Sequence, residues 1–145
     1  MSFASTAAVL DSMKTRIEAL APAAVVNEDD KFRVFLEEIE AILGSRTIEL
    51  TAQGAVKVRP GLTCPDWQTD VTLILLYVST PSEVGEQTVH QKALRDSEDI
   101  LNDLYTWAGT TTGILRMTPS PASVNDNGQG VIEATRQISI EFRRT

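Results

Sequence analysis

Apolar residues near the start of the chain recur every three or four positions. This spacing is shared by Val9, Met13, Ile17 and Leu20. It places them on one face of a helix, so we predict an N-terminal helix over residues 5–20. Pro22 ends the helix because proline cannot continue one.

The pattern over residues 31–43 fits two different elements. Helical spacing is followed by Phe32, Phe35, Leu36, Ile39, Ile42 and Leu43. We favour a short helix, with Asp29 or Asp30 at its start and Gly44 at its end. A strand through Phe32, Val34 and Leu36 is the alternative.

From Arg46 onward the apolar period changes to two, which is typical of strands. Ile48 and Leu50 alternate with polar residues, Gln53-Gly54 has the composition of a turn, and the alternation resumes at Val56 and Val58. We therefore predict a β-hairpin in this segment.

A long strand follows Cys64-Pro65. One face of it carries Trp67, Thr69, Val71, Leu73, Leu75 and Tyr77. The other face is polar at first and becomes apolar at Ile74, Leu76 and Val78. A strand that is apolar on both faces is predicted to be central in its sheet.

The clearest helical spacing lies in the second half of the chain. It is followed by Ala93, Leu94, Ser97, Ile100, Leu101, Leu104, Trp107 and Ala108. This predicts a long helix over about 88–108 that stops at Gly109. At about 1.5 Å per residue it is about 30 Å long, which matches the breadth of a sheet.

Two further strands are predicted after this helix. The first begins at Ile114, and Pro119 and Pro121 indicate an edge position or a bulge because proline donates no ladder hydrogen bond. Residues 125–130 form a polar hairpin loop. In the last strand Arg136 falls on the apolar face, which indicates either a bulge or a point where that face leaves the core.

Together these elements predict an α+β fold in a single domain over residues 1–145. We expect a mainly antiparallel sheet, with the N-terminal helix and the long helix packed on one face and with strand hairpins that have extended loops. The chain has 145 residues, of which 20 are acidic and 13 basic, for a net charge of −7. This length excludes a multidomain enzyme, and this charge argues against a protein that wraps duplex DNA.

Targeting and redox chemistry add little. Cys64 is the only cysteine, so an internal disulfide is excluded and a reducing compartment is expected. The N-terminus lacks the pattern of a secretory signal, and the longest apolar run, residues 73–78, is too short to span a bilayer. We expect no membrane association.

Candidate catalytic and metal-binding residues are few. His90 is the only histidine and Cys64 has no activating neighbours in sequence, so neither is expected to be catalytic. Two acidic groups, Glu28-Asp29-Asp30 and the set Asp96, Glu98, Asp99 and Asp103, are expected to be solvated. We predict no catalytic, cofactor or metal site.

Two other patterns also favour ordinary structural roles. The glycines of Asn127-Gly128-Gln129-Gly130 fit a turn rather than a phosphate loop, since no lysine or helix follows. The basic residues Lys57, Arg59, Arg143 and Arg144 are scattered in sequence and are expected to form exposed ion pairs. Long strands with exposed edges instead favour an interaction module, because another chain can pair with such edges.

The order of elements resembles a known family. The resemblance lies in the N-terminal helix, the strand that ends in Ser79-Thr80-Pro81, the helix with Asp99-Ile100-Leu101-Asn102-Asp103-Leu104, and the closing strand at residues 134–142. In these features the chain resembles the tail-terminator, or tail-completion, proteins of long-tailed bacteriophages. The possible helix within residues 28–45 departs from the family pattern.

The resemblance implies a non-enzymatic virion protein that assembles in the host cytoplasm. Such proteins form a hexameric ring that caps the tail tube and meets the head-side connector or stopper protein, while DNA passes through the lumen without specific binding. An acidic lumen would suit this passage. Another head–tail joining (neck) or minor tail protein is the alternative, and a small α+β ligand-binding domain or enzyme is an alternative of a different class.

Overall fold

One seven-stranded sheet organises the chain. The computed structural model describes residues 3–22, 31–42, 46–58, 66–78 and 86–144, with the side chains of residues 86–88 left out. The elements in chain order are α1 (Thr6–Ala19), β1 (Phe32–Phe35), β2 (Arg46–Ala52), β3 (Val56–Lys57), β4 (Asp66–Val78), α2 (Glu86–Thr110), β5 (Ile114–Pro119), β6 (Ser123–Asp126) and β7 (Val131–Arg143). The predicted α+β class is confirmed.

The long strands β4 and β7 form the middle of the sheet. The strand order is β1-β2-β4-β7-β5, with β3 also paired to β4 and β6 also paired to β7. Every pairing is antiparallel except that of β1 with β2. The central position predicted for the strand at residues 67–78 is therefore confirmed.

The hairpin predicted around Gln53-Gly54 is wrong. β2 and β3 both pair with β4, in registers that join Ala52 to Val71 and Val56 to Gln68. One extra residue lies on the β2–β3 side, so Gln53-Gly54 lies in a β-bulge rather than a turn. The chain reverses after β3, where the Val58 N–H donates to the Asp66 carbonyl oxygen.

The same device interrupts the strands on the other side of the sheet. β5 and β6 both pair with β7, in registers that join Pro119 to Ile138 and Ser123 to Thr135. One extra residue again lies between them, next to Pro121. The edge position and the bulge that the prolines indicated are both present, and residues 127–130 close the predicted hairpin between β6 and β7.

The helix favoured for residues 31–43 is wrong, and the alternative strand is present as β1. Phe32 and Val34 are buried in the core whereas Arg33 is exposed, which is the period of two. Residues 36–42 form no helix, and Leu43 and Gly44 lie outside the described residues. Burial of two alternate side chains against α1 and β2 outweighs the helical spacing, because tertiary packing overrides local propensity.

The two helices contact each other, and both contribute buried side chains to the same core as the strands. Ser5 is the N-cap residue of α1, and its hydroxyl accepts a hydrogen bond from the Ala8 N–H. The helix buries Val9, Met13 and Ile17. α2 lies over β4 and β7 and contributes Ala93, Ile100, Leu104 and Trp107 to the core. The face of the sheet that points away from this core carries Gln68, Thr72, Gln137 and Ser139, and we call it the open face. No helix lies on it in the described part of the chain.

Leu73 tests how far the core depends on β4. Its side chain is fully buried in the middle of the sheet, whereas Leu115 on edge strand β5 is 44% exposed. We expect Leu73→Ala to lower the free energy of unfolding by about 2–5 kcal/mol, because it leaves a cavity. Leu115→Ala, the matched control, should change it by about 0.5 kcal/mol or less in the same urea titration. Equal effects of the two substitutions would contradict this placement of the core.

Candidate functional site

A buried charged network lies beneath α2. Arg46 Nη1 is 2.6 Å from Asp96 Oδ1, and the Tyr77 hydroxyl donates to Asp96 Oδ2 at 2.7 Å. All three residues are almost completely buried, with 1% of Arg46 and of Asp96 exposed. Buried charges are tolerated only when they are paired and hydrogen bonded, as they are here.

Three separate elements supply this network. Arg46 begins β2, Tyr77 lies near the end of β4, and Asp96 lies on the inner face of α2. The pKa of the Asp96 carboxyl is raised, because the effect of burial outweighs those of the hydrogen bond from Tyr77 and the charges of Arg46 and Lys92, which lower it. A carboxylate that is sealed from solvent and bonded through both oxygens fixes the position of α2 over the sheet.

The expected solvation of the acidic residues on α2 is correct for only part of the set. Glu98 and Asp99 are exposed, but Asp96 is buried. Asp103 is half-buried and accepts two hydrogen bonds from Arg16 on α1, at 2.8 and 2.9 Å. The sequence held a signal for Asp96, since it lies three residues after Ala93 and four before Ile100 on the buried stripe.

Arg136 remains within the core face of β7, with 7% of its surface exposed. Its Nε and Nη2 each lie 3.3 Å from Ser97 Oγ, and its Nη1 donates to the Ser120 carbonyl oxygen at 2.7 Å. The pKa of Arg136 is lowered, because the effect of burial outweighs those of the nearby Glu98 and Tyr105, which raise it. The prediction that this face leaves the core at Arg136 is wrong. The predicted bulge lies opposite Arg136, in residues 120–122 between β5 and β6, and β7 itself is regular there.

The basic residues that looked scattered in sequence converge at one end of the sheet. Lys57 Nζ and Arg144 Cζ lie 6.0 and 4.7 Å from the Trp67 ring centroid. Arg143 Nε lies 3.5 Å from Asp66 Oδ1, which has no hydrogen-bond partner among the described residues. We call Lys57, Trp67, Arg143 and Arg144 the basic corner. Arg59 lies outside the described residues.

Near the other end of the sheet, three carboxylates lie close enough for their charges to interact. Burial raises the pKa of Glu49, as do the charges of Glu38 and Glu133, whereas a hydrogen bond with the Ile39 backbone lowers it. We call Glu38, Glu49 and Glu133 the acidic cluster. Residues 36–42 lie over this part of the sheet, where the Ile42 N–H also bonds Thr47 Oγ1 at 3.4 Å.

The other candidate residues are exposed, lie in a turn or fall outside the described residues. His90 is exposed on α2, and Gly128 and Gly130 have φ of 78° in the turn before β7. Cys64 and Glu28-Asp29-Asp30 lie outside the described residues. Within the described ranges, three or more His, Cys, Asp or Glu side chains nowhere come together in a way that could hold a metal ion. Neither described helix is long and apolar enough to cross a membrane.

An open groove of about 460 Å³ lies between α1 and β1. Lys14, Glu18, Arg33 and Glu37 are among its lining residues, so both signs of charge are present. Glu18 Oε2 accepts a hydrogen bond from the Val34 N–H at 3.3 Å. The groove therefore lies beside a strand edge that α1 already engages.

The buried network can be tested by removing one charge. Asp96→Asn leaves Arg46 buried without its carboxylate, and we expect unfolding to require about 3–5 kcal/mol less. Tyr77→Phe removes only a hydrogen bond and should cost about 1–3 kcal/mol. The exposed Asp99→Asn is the control for the change of side chain. Chemical denaturation of the four proteins would disprove this role if Asp96→Asn were as stable as Asp99→Asn.

The raised pKa of Glu49 predicts that the stability of the folded protein depends on pH. Because its pKa is raised in the folded protein, its favourable contribution is full below the ordinary value of 4.5 and is lost as pH rises through the folded pKa. Glu49→Gln should therefore be more stable than the natural protein at about pH 7, and this difference should disappear by about pH 4. Thermal denaturation across this range measures it, with the exposed Glu40→Gln as control. A difference that is independent of pH would argue against a raised pKa of Glu49 in the folded protein.

Neither the protein-family models nor the curated proteins yield a match to this chain. A proposal about function must therefore be supported by the packing, charge and open surfaces of the chain itself.

Proposed function

We propose that this chain is a structural virion protein, a tail terminator of a long-tailed bacteriophage. Its copies form a hexameric ring that caps the tail tube and joins it to the head-side connector or stopper protein. The ring assembles in the host cytoplasm and then belongs to the tail or neck of the virion. DNA passes through an acidic lumen without specific binding, and the protein has no enzymatic activity.

The open face is the observation that carries this proposal. Its side chains form ordered polar pairs across β4 and β7: Gln68 Nε2 donates to Ser139 Oγ at 2.8 Å and Thr72 Oγ1 donates to Gln137 Oε1 at 3.0 Å. A broad face of this kind, on a rigid sheet, suits contact with a different protein, such as the tail tube or the head-side connector. The polar composition of this face is compatible with an interface, because protein–protein interfaces as a whole are no more apolar than the rest of a protein surface.

The fold supplies the second support. In the proposed subunit the N-terminal helix and the long helix over about 88–108 lie together on one sheet face, with strand hairpins and extended loops at the ends. This is the order of elements in which the sequence resembles tail terminators. A ring made of such subunits closes through a heterologous contact, in which two different surfaces of each copy meet.

The proposal is tested in the phage that encodes the chain. We expect the protein in purified virions, and we expect antibody labelling in electron micrographs at the junction of head and tail. Disruption of the gene should yield tails of uncontrolled length, because the ring stops polymerisation of the tube. Labelling elsewhere in the neck or tail would favour another joining protein, and absence from virions with normal tails would exclude both.

A further inference from the structure

The basic corner is a concentrated positive surface on an acidic protein. It carries three cations, Lys57, Arg143 and Arg144, whereas the whole chain has a net charge of −7. All three cations are exposed. Lys57 and Arg144 flank the half-buried Trp67, and Arg143 lies on the other face of the sheet beside Asp66, with Glu141 two residues before it. Val56, beside Lys57, is 65% exposed and adds an apolar contact surface.

The acidic cluster lies at the opposite end of the same strands. Glu133 is paired with Leu76 and Arg143 with Asp66, both along β4 and β7. Ten residues of strand separate Glu133 from Arg143, which corresponds to about 33 Å. Leu36 and Ile42, which flank Glu38 in the chain, are 36% and 38% exposed. Each end of the sheet therefore combines exposed apolar side chains with charged groups, mainly basic at one end and acidic at the other.

We propose that the basic corner of one copy docks on the acidic cluster of a second copy. The contact is head-to-tail, because the two surfaces are different and lie at opposite ends of the subunit. A head-to-tail contact generates a ring when its rotation closes. The inference rests on the proposed function only in that it names the residues of the ring contact.

Two features favour a second copy over nucleic acid as the occupant. Lys57 and Arg144 already lie against the Trp67 ring, whereas single-stranded nucleic acid requires an aromatic face on which bases can stack. The net charge of −7 also repels a polyanion, but the same chain carries the carboxylates that match the corner. The complementary surface is thus present on every copy.

The sheet edges are less suited to self-association than its ends. The Val34 N–H of edge strand β1 is engaged by Glu18, and β1 has only four residues. Directly after β5, Ser120 directs its N–H toward Gln137, so the preceding Pro119 removes a donor from the outer side. Pairing of strands between copies would therefore lack a hydrogen-bond donor at Val34 and another at Pro119, on the edges that the sequence favoured as pairing sites.

The experiment measures the mass of the purified full-length chain as a function of protein and salt concentration. We expect oligomers that dissociate at least about tenfold more readily when NaCl rises from about 0.05 to about 0.5 M, because salt screens the contact. The double variant Glu38→Lys with Glu133→Lys should weaken association by about 100-fold, and so should Lys57→Glu with Arg144→Glu. Asp11→Lys with Asp99→Lys makes the same charge change as the first variant at exposed helix positions and should leave association unchanged.

Combining the two interface variants provides the decisive result. The quadruple variant exchanges the signs of both surfaces and restores the net charge, so it should associate again. Circular dichroism confirms that each variant is folded. A natural protein that stays monomeric at low salt, or a quadruple variant that is folded but monomeric, would overturn the proposal.

Two further outcomes separate this inference from its alternatives. If Lys57→Glu with Arg144→Glu abolishes binding to a single-stranded oligonucleotide and leaves the mass unchanged, the corner is a nucleic-acid surface and the proposal is wrong. If the charge variants behave as expected but the chain is absent from virions, the contact stands and the proposed phage function fails.

Discussion

The antiparallel pairing of β4 with β7 supports every other element of the described structure. The two strands pair over their full length, from Asp66 with Arg143 to Val78 with Val131. β2 and β3 add to the free side of β4, and β5 and β6 add to the free side of β7. Both additions contain a bulge, which bends a strand and increases its twist. The pairing of β4 with β7 contains no bulge, so the bends lie in the flanking strands and not in the central pair.

The charged residues beneath α2 constrain how the helix lies on this sheet. Asp96 reaches Arg46 on β2 and Tyr77 on β4, while Ser97 reaches Arg136 on β7. Apolar packing is non-directional, so by itself it favours burial of the helix without specifying which side chains must meet. A buried ion pair allows much less displacement, because a shift leaves an uncompensated charge in the core. These contacts specify one position for α2 over three strands.

Local pattern was sufficient where a single period dominated. Apolar residues on both faces of the strand at residues 67–78 indicated a central position, and the prolines at 119 and 121 indicated an edge or bulge. It failed where two periods overlapped, as in residues 31–43, because burial of Phe32 and Val34 depends on partners distant in sequence. Gln53-Gly54 suits both a turn and a bulge, and only the register with β4 decides between them. The basic corner was missed because its members come from three separate segments that the fold brings together at Trp67.

The placement of charge follows from the same central pair. Glu133 and Arg143 belong to one strand, so their separation and relative direction are as rigid as the sheet itself. A contact built on flexible loops would permit many angles between neighbouring copies and would favour open chains as readily as rings. Surfaces mounted on both ends of a continuous strand permit a narrow range of angles, and closure of a ring depends on that angle being the same at every contact. In the proposed contact, the interrupted edges would leave the strand ends, where the charges lie, as the surfaces that meet.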